Sequence, residues 1–192
     1  MPLKLAAWFI QGVAMSRSIE QIVIHCSASL NGRSLGGGGK SAAEVMDAWH
    51  KRRGFMRHAA ACRVFNPGLP ALGYHWVIDC GGILESGRNI DEPGAHVAGH
   101  NAHSIGICLV GTDAFTASQW AALASQIRYL QRRFPAAHIV GHRDLSPDLN
   151  GDGNISPNEY RKTCPGFSVA DWLAADMQPL PHHLIGGSNA AL

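Results

Sequence analysis

The sequence predicts an α/β fold in a single domain, a central mixed β-sheet flanked by helices, and three observations predict it. "SIGICLVG" (104–111) is apolar almost throughout, as suits a central strand covered on both faces. "TASQWAALASQIRYLQRRF" (116–134) begins with a Thr cap and carries Trp120, Leu123, Ile127 and Leu130 at helical spacing before Pro135 ends it. "YHWVIDCGGILESGR" (74–88) is a strand, a Gly-Gly turn and a second short strand, hence a hairpin. Strands mixed with helices around one apolar strand imply a sheet layered with helices.

The remaining elements follow in chain order. "MPLKLAAWFIQGVAMS" has one early Lys and a short apolar run broken by Gln11, with no small-x-small cleavage site. It reads as an N-terminal extension over 1–19 rather than a signal peptide, and it is too short to span a bilayer. "EQIVIHCSAS" (20–29) is a β-branched run with His25 near its carboxyl end, a buried strand. "SAAEVMDAWHKRR" (41–53) sets Val45, Met46 and Trp49 at helical spacing behind a Ser cap, and Gly54 stops it. "HAAACRVFNPGLPALG" (58–73), with two Pro and two Gly, is expected to be a surface loop. "AHIVGHRD" (137–144) gives a short strand ending at His142, and "SVADWLAAD" (168–176) a capped last helix. Residues 20–175 form the expected domain. Residues 176–192, rich in Pro, Gly, Ser and Asn, are expected to be a flexible tail.

Composition narrows the function classes. At 192 residues and 46% hydrophobic the chain can bury one sizeable core, and its formal charge of +2 gives no case for nucleic acid. The five Cys are scattered without a C-x-x-C pair, which excludes a zinc ribbon and gives no disulfide framework. Eleven His are the conspicuous excess.

Two of them, His25 and His142, end predicted strands, at the edge where α/β sheets commonly open a ligand crevice. Cys164 follows on a Pro-flanked loop. Two imidazoles and a thiolate suit tetrahedral zinc, and three protein ligands leave a fourth position open for catalysis. Scattered His and Cys are more often plain interior residues, so the donor types alone do not decide.

The strings "IVIHCSAS", "LGYHWVIDCGG", "GAHVAGHNAHSIGICLVG" and "GHRD" followed by "KTCPGF" occur in that order. Together they resemble the zinc-dependent N-acetylmuramoyl-L-alanine amidases, most nearly the amidase-type lysozymes of bacteriophages and the related peptidoglycan recognition proteins. The resemblance spans roughly residues 20 to 175. It implies hydrolysis of the amide between the lactyl group of N-acetylmuramic acid and L-alanine of the stem peptide by a zinc-activated water. It also implies His25, His142 and Cys164 as zinc ligands at the carboxyl edge of the sheet, with Tyr74 and Lys162 as catalytic residues. His96 of "GAHVAGHN" falls on a family His and becomes a candidate substrate-binding residue, while His75, next to Tyr74, must face the other way. The implied partner is peptidoglycan or its muropeptides, with no nucleic acid and no stable membrane insertion, and the expected form is a monomer. Synthesis in the cytoplasm without an export signal, followed by action on the bacterial wall in the periplasm or after host lysis, is the expected localisation. The alternative of the same fold is a non-catalytic peptidoglycan-binding protein, which has no chemical need for all five residues.

A second metal pattern lies in "DLNGDGNISPNEY" (148–160). Asp148, Asn150, Asp152, Asn154 and Glu159 fall on positions one, three, five, seven and twelve of a calcium loop, with Gly153 at six. The plain alternative is a polar turn. The pattern favours calcium, bound by oxygen and separate from zinc, ordering the segment that carries Lys162 and Cys164. A calcium sensor is disfavoured, because a strand-like segment and Pro147 precede the loop where a helix is needed.

Overall fold

A computed structural model describes residues 17–186. Five strands form one sheet: β1 (Gln21–Cys26), β2 (Trp76–Ile78), β3 (Leu84–Ser86), β4 (Ser104–Leu109) and β5 (His138–Gly141), in the order β3-β2-β4-β1-β5. β1 runs parallel to both β4 and β5, and β2 runs parallel to β4 and antiparallel to β3, so the sheet is mixed. Every residue of β4 is buried, as its unbroken apolar run requires.

The strands alternate between two cores. Ile22 and Ile24 of β1 and Ile105, Ile107 and Leu109 of β4 face one cluster with α3 (Ala117–Arg133), which contributes Trp120, Leu123, Ile127 and Leu130. Val77 of β2, Cys108 and Val110 face the other, under α1 (Ala42–Arg52), where Ala42, Ala43 and Met46 pack. Both helices begin with reciprocal capping boxes, Ser41 with Glu44 and Thr116 with Gln119. A short α4 (Val169–Ala174), capped by Ser168, buries Val169 and Trp172 on the α3 side.

Three expectations change. The segment 58–73 is more than a loop: Ala59–Val64 is helical (α2), Cys62 is buried, and Leu69, Ala71 and Leu72 join the core. Its anchors are distant polar groups. Asp47 on α1 accepts from the N–H groups of Ala71 and Leu72 at 2.6 and 2.7 Å, and the buried guanidinium of Arg57 pairs with Glu92 at 2.7 Å while donating to the carbonyls of Phe65, Asn66 and Leu69. At the amino end, the part of the 1–19 extension that is described packs on the domain. Ile19 is buried, and Arg17 donates to the carbonyls of Ile90, Asn101, Ala102 and Ser104. At the other end, residues 176–186 run back over the domain, with Met177, Leu180 and Leu184 against the α3 core and the Ile185 N–H donating to the Phe115 carbonyl at 2.9 Å. Residues 1–16 and 187–192 lie outside the described residues.

Candidate active site

Strand parity and register set the first two groups. Because Ile22 and Ile24 point to the α3 core, His25 points to the opposite face, and it is 1% exposed. β1 pairs with β5 up to Ile24 opposite Gly141, so the next residue, His142, emerges beside His25. Their ring centroids are 4.7 Å apart, the spacing of neighbouring strands.

Cys164 reaches the pair from the loop after β5. The Cys26 N–H donates to its Sγ at 3.2 Å, and the Arg143 N–H donates to its carbonyl at 2.8 Å. Two residues on, Gly166 has φ +93°, and a Cβ there would collide with the backbone of Thr112 and Asp113, so the turn that presents Cys164 requires glycine. The Cys164 Sγ lies 3.8 Å from Nδ1 of His25. One ligand atom from each of His25, His142 and Cys164 lies within 4.8 Å of the others, the only set of three or more His, Cys, Asp or Glu so gathered among the described residues.

The three groups sit in a cleft of about 610 Å³ that Tyr74, His50, Arg53, Phe55, Arg161 and Lys162 also line. Burial, then the proximity of His142 and Lys162, holds His25 well below the ordinary histidine range. Burial and Lys162 hold His142 down to about 4. Both rings therefore present neutral imidazole lone pairs at neutral pH. A hydrogen bond with Cys26, then burial, raises the Cys164 thiol, and burial raises the Tyr74 phenol, which stays a hydrogen-bond donor. The Tyr74 ring packs 5.2 Å from His25 and 5.3 Å from His50.

His50 also lines the cleft, a residue the sequence motifs do not single out. It is buried, its Nδ1 accepts from the Gly73 N–H at 2.9 Å, and burial pulls it down to about 4. The available signal was the helical period: His50 lies one turn beyond Met46 on the buried face of α1. His75 faces away from the cleft, as expected, with its Nδ1 accepting from the Gly106 N–H and its Nε2 bonded to the Glu92 carbonyl. His96 borders the cleft, but both of its ring nitrogens turn to protein groups, His25 and Ser104. Arg53 and Phe55 form part of the cleft wall, and no residue of the 58–73 segment lines it.

The acidic loop at 148–159 gives calcium no support. Its side-chain oxygens are bonded within the segment: Asp148 accepts from the N–H groups of Gly151 and Gly153, Asn150 from that of Asp152, and Asp152 from that of Asn154. Glu159 accepts from the N–H groups of Leu149, Asn150 and Ser156 and from the Ser156 hydroxyl. The carboxylates of Asp148, Asp152 and Glu159 do not gather as metal ligands, so calcium has no support here. The alternative of a polar, self-bonded turn describes the segment.

The family described as N-acetylmuramoyl-L-alanine amidase matches residues 15–167 of this sequence. The chain belongs to that family. The amidase is 46% identical to an uncharacterized protein of Haemophilus influenzae over 111 residues, 54% of this chain and 96% of that protein. It is 30% identical to the endolysin of Enterobacteria phage K11 over 162 residues, 80% of this chain and 85% of the endolysin. Its fold is that of the amidase LysC from Clostridium intestinale URNW, with TM-score 0.58, 21% identity and coverage of 84% of this chain and 86% of LysC. Drosophila PGRP-LB is similar in fold as well, with TM-score 0.56, 17% identity and coverage of 92% and 88%. The protein is thus a peptidoglycan amidase, cleaving between N-acetylmuramic acid and L-alanine.

Proposed function

We propose that this amidase is a zinc enzyme that holds its metal through His25, His142 and Cys164 and acts on wall peptidoglycan with Tyr74 and Lys162 as its catalytic side chains. The observation that carries the proposal is the convergence of two neutral imidazoles and one thiol within 4.8 Å at the head of a cleft. That donor set fits zinc, softer than the oxygen sets of calcium or magnesium, and it leaves a coordination position open. Bound there, zinc supplies Lewis acidity to the scissile carbonyl and to the attacking water.

The chain's own groups do the rest. Lys162, two residues from Cys164, brings its ammonium to the oxygen on which negative charge develops. Tyr74 keeps its phenolic proton and donates a hydrogen bond to the tetrahedral centre. The cleft lining includes Arg53, Arg161 and Lys162 and no Asp or Glu, a charge pattern suited to the carboxylates of a stem peptide. The Arg53 guanidinium already stacks 5.2 Å over the Phe55 ring, which limits its freedom before substrate arrives. Endolysin relatives support a wall substrate, and no described helix is long and apolar enough to cross a membrane. The active form we propose is a monomer, with the whole cleft supplied by one chain.

The test is digestion of purified sacculi with and without a chelator, followed by mass spectrometry of the new termini. The expected products are free L-alanine amino termini, abolished by chelation and restored by zinc. New reducing sugar ends would identify a glycosidase, and chelator-resistant release of L-alanine termini would remove the metal from the reaction.

A further inference from the structure

We propose that His96 is a positioning residue that fixes the tautomer of His25, so that its Nδ1 lone pair faces Cys164 and His142; this rests on the zinc site proposed above. His25 uses its two nitrogens differently. Nδ1 faces the Cys164 Sγ at 3.8 Å, and Nε2 lies 3.0 Å from Nδ1 of His96. Nε2 of His96 in turn lies 3.4 Å from the Ser104 hydroxyl. A metal ligand needs a lone pair on Nδ1 of His25, so its proton belongs on Nε2, where His96 Nδ1 accepts it. The proton of His96 is then on Nε2, directed at the Ser104 oxygen. The opposite arrangement would aim an N–H at the metal position.

The fold builds a slot for this ring. A Cβ on Gly106, in the middle of β4, would come within 2.6 Å of the His96 ring, and one on Gly94 would also collide with it. Asn101 holds the backbone below, its Oδ1 accepting from the N–H groups of His96 and Val97 at 2.9 and 3.0 Å. Two absent side chains and a carboxamide clamp thus fix a ring whose nitrogens both face inward. His96 accordingly serves the His25 ring rather than gripping substrate.

The test reads the proton directly. Nitrogen-15 NMR of the zinc-free wild type is expected to report His25 protonated on Nε2, and a proton on Nδ1 would overturn the proposal. His96→Phe fills the slot without an acceptor, so the His25 tautomers should mix and zinc affinity, measured by chelator competition, should fall about 10–100-fold. His96→Asn, which keeps an acceptor at the Nδ1 position, should retain most of both properties. Wild-type affinity with an unmixed His25 tautomer in His96→Phe would assign His96 to packing alone. Since the tautomer is read without metal, a wild type that binds no zinc would sink the zinc reading while the NMR result still judged His96.

Discussion

Two segments of this chain carry donors at metal-binding spacing, and they end differently. In the His25–His142–Cys164 cluster the donors come from β1, the residue just past β5 and a distant loop, and the sheet turns them toward one another. In the 148–159 loop the donors are neighbours in sequence, and they turn to the loop's own N–H groups. The contrast teaches that what the backbone leaves unsatisfied decides whether a donor is free for a ligand. At the strand ends the Cys26 and Gly141 amides are met by Cys164 Sγ and the Asp144 carboxylate, so no amide draws on the imidazoles of His25 and His142. An irregular loop has bare amides, and Asp, Asn and Glu are consumed in pairing them.

The largest expected effects break the first half of the contrast. Cys164→Ala should lose both stoichiometric zinc and turnover, with metal content and rate measured on one preparation. Lys162→Ala and Tyr74→Phe should keep zinc while turnover falls by roughly 10²-fold or more, the size expected for a lost oxyanion donor. A wild-type rate in Lys162→Ala would take that residue out of the mechanism.

The second half is sharpened by Glu159, whose carboxylate the Ser156 N–H and hydroxyl and the Leu149 and Asn150 N–H groups hold down to about 2. A depressed carboxylate stabilises the fold above its unfolded pKa, about 4.3, and that contribution disappears as the pH falls through the folded value. Glu159→Gln should therefore melt below the wild type at neutral pH, with the gap closing between about pH 4.3 and 2. A constant gap across that window would mean the charge is irrelevant. Millimolar calcium should leave the wild-type melting temperature unchanged; a rise that Asp148→Ala with Asp152→Ala abolishes would show the loop surrendering its internal bonds to a cation. The smallest effect is expected from Arg53→Ala: a few-fold higher KM for muropeptides at nearly constant kcat, because an exposed guanidinium contributes modestly.

Much of the fold was legible because it is written in local periodicity. β4 declares itself by an unbroken apolar run, α3 by Trp120, Leu123, Ile127 and Leu130, and the hairpin by Gly81-Gly82. The cluster was legible through motifs in order, since strand ends and a Cys-Pro-Gly turn are local features too. What stayed hidden depends on bonds between distant residues. Helix α2 and the buried 69–72 stretch rest on Asp47, Arg57 and Glu92, and Arg57 and Glu92 are 35 positions apart. The inward role of His96 depends on a partner 71 positions away and on two glycines that look like ordinary loop and strand residues. The calcium pattern stays without support for the same reason: spacing along the chain carries no information about which amides are vacant.

The distance along the chain between His25 and Cys164, 139 positions, has a consequence in time. β1 emerges first from the ribosome and cannot take its place between β4 and β5 until both have followed. At ~5–20 residues per second, between about 7 and 28 s pass from synthesis of His25 to synthesis of Cys164. During that interval the nascent polypeptide has no third donor and therefore no complete cluster. A chain broken before position 164 therefore never completes the cluster, whatever else of the sheet it has formed.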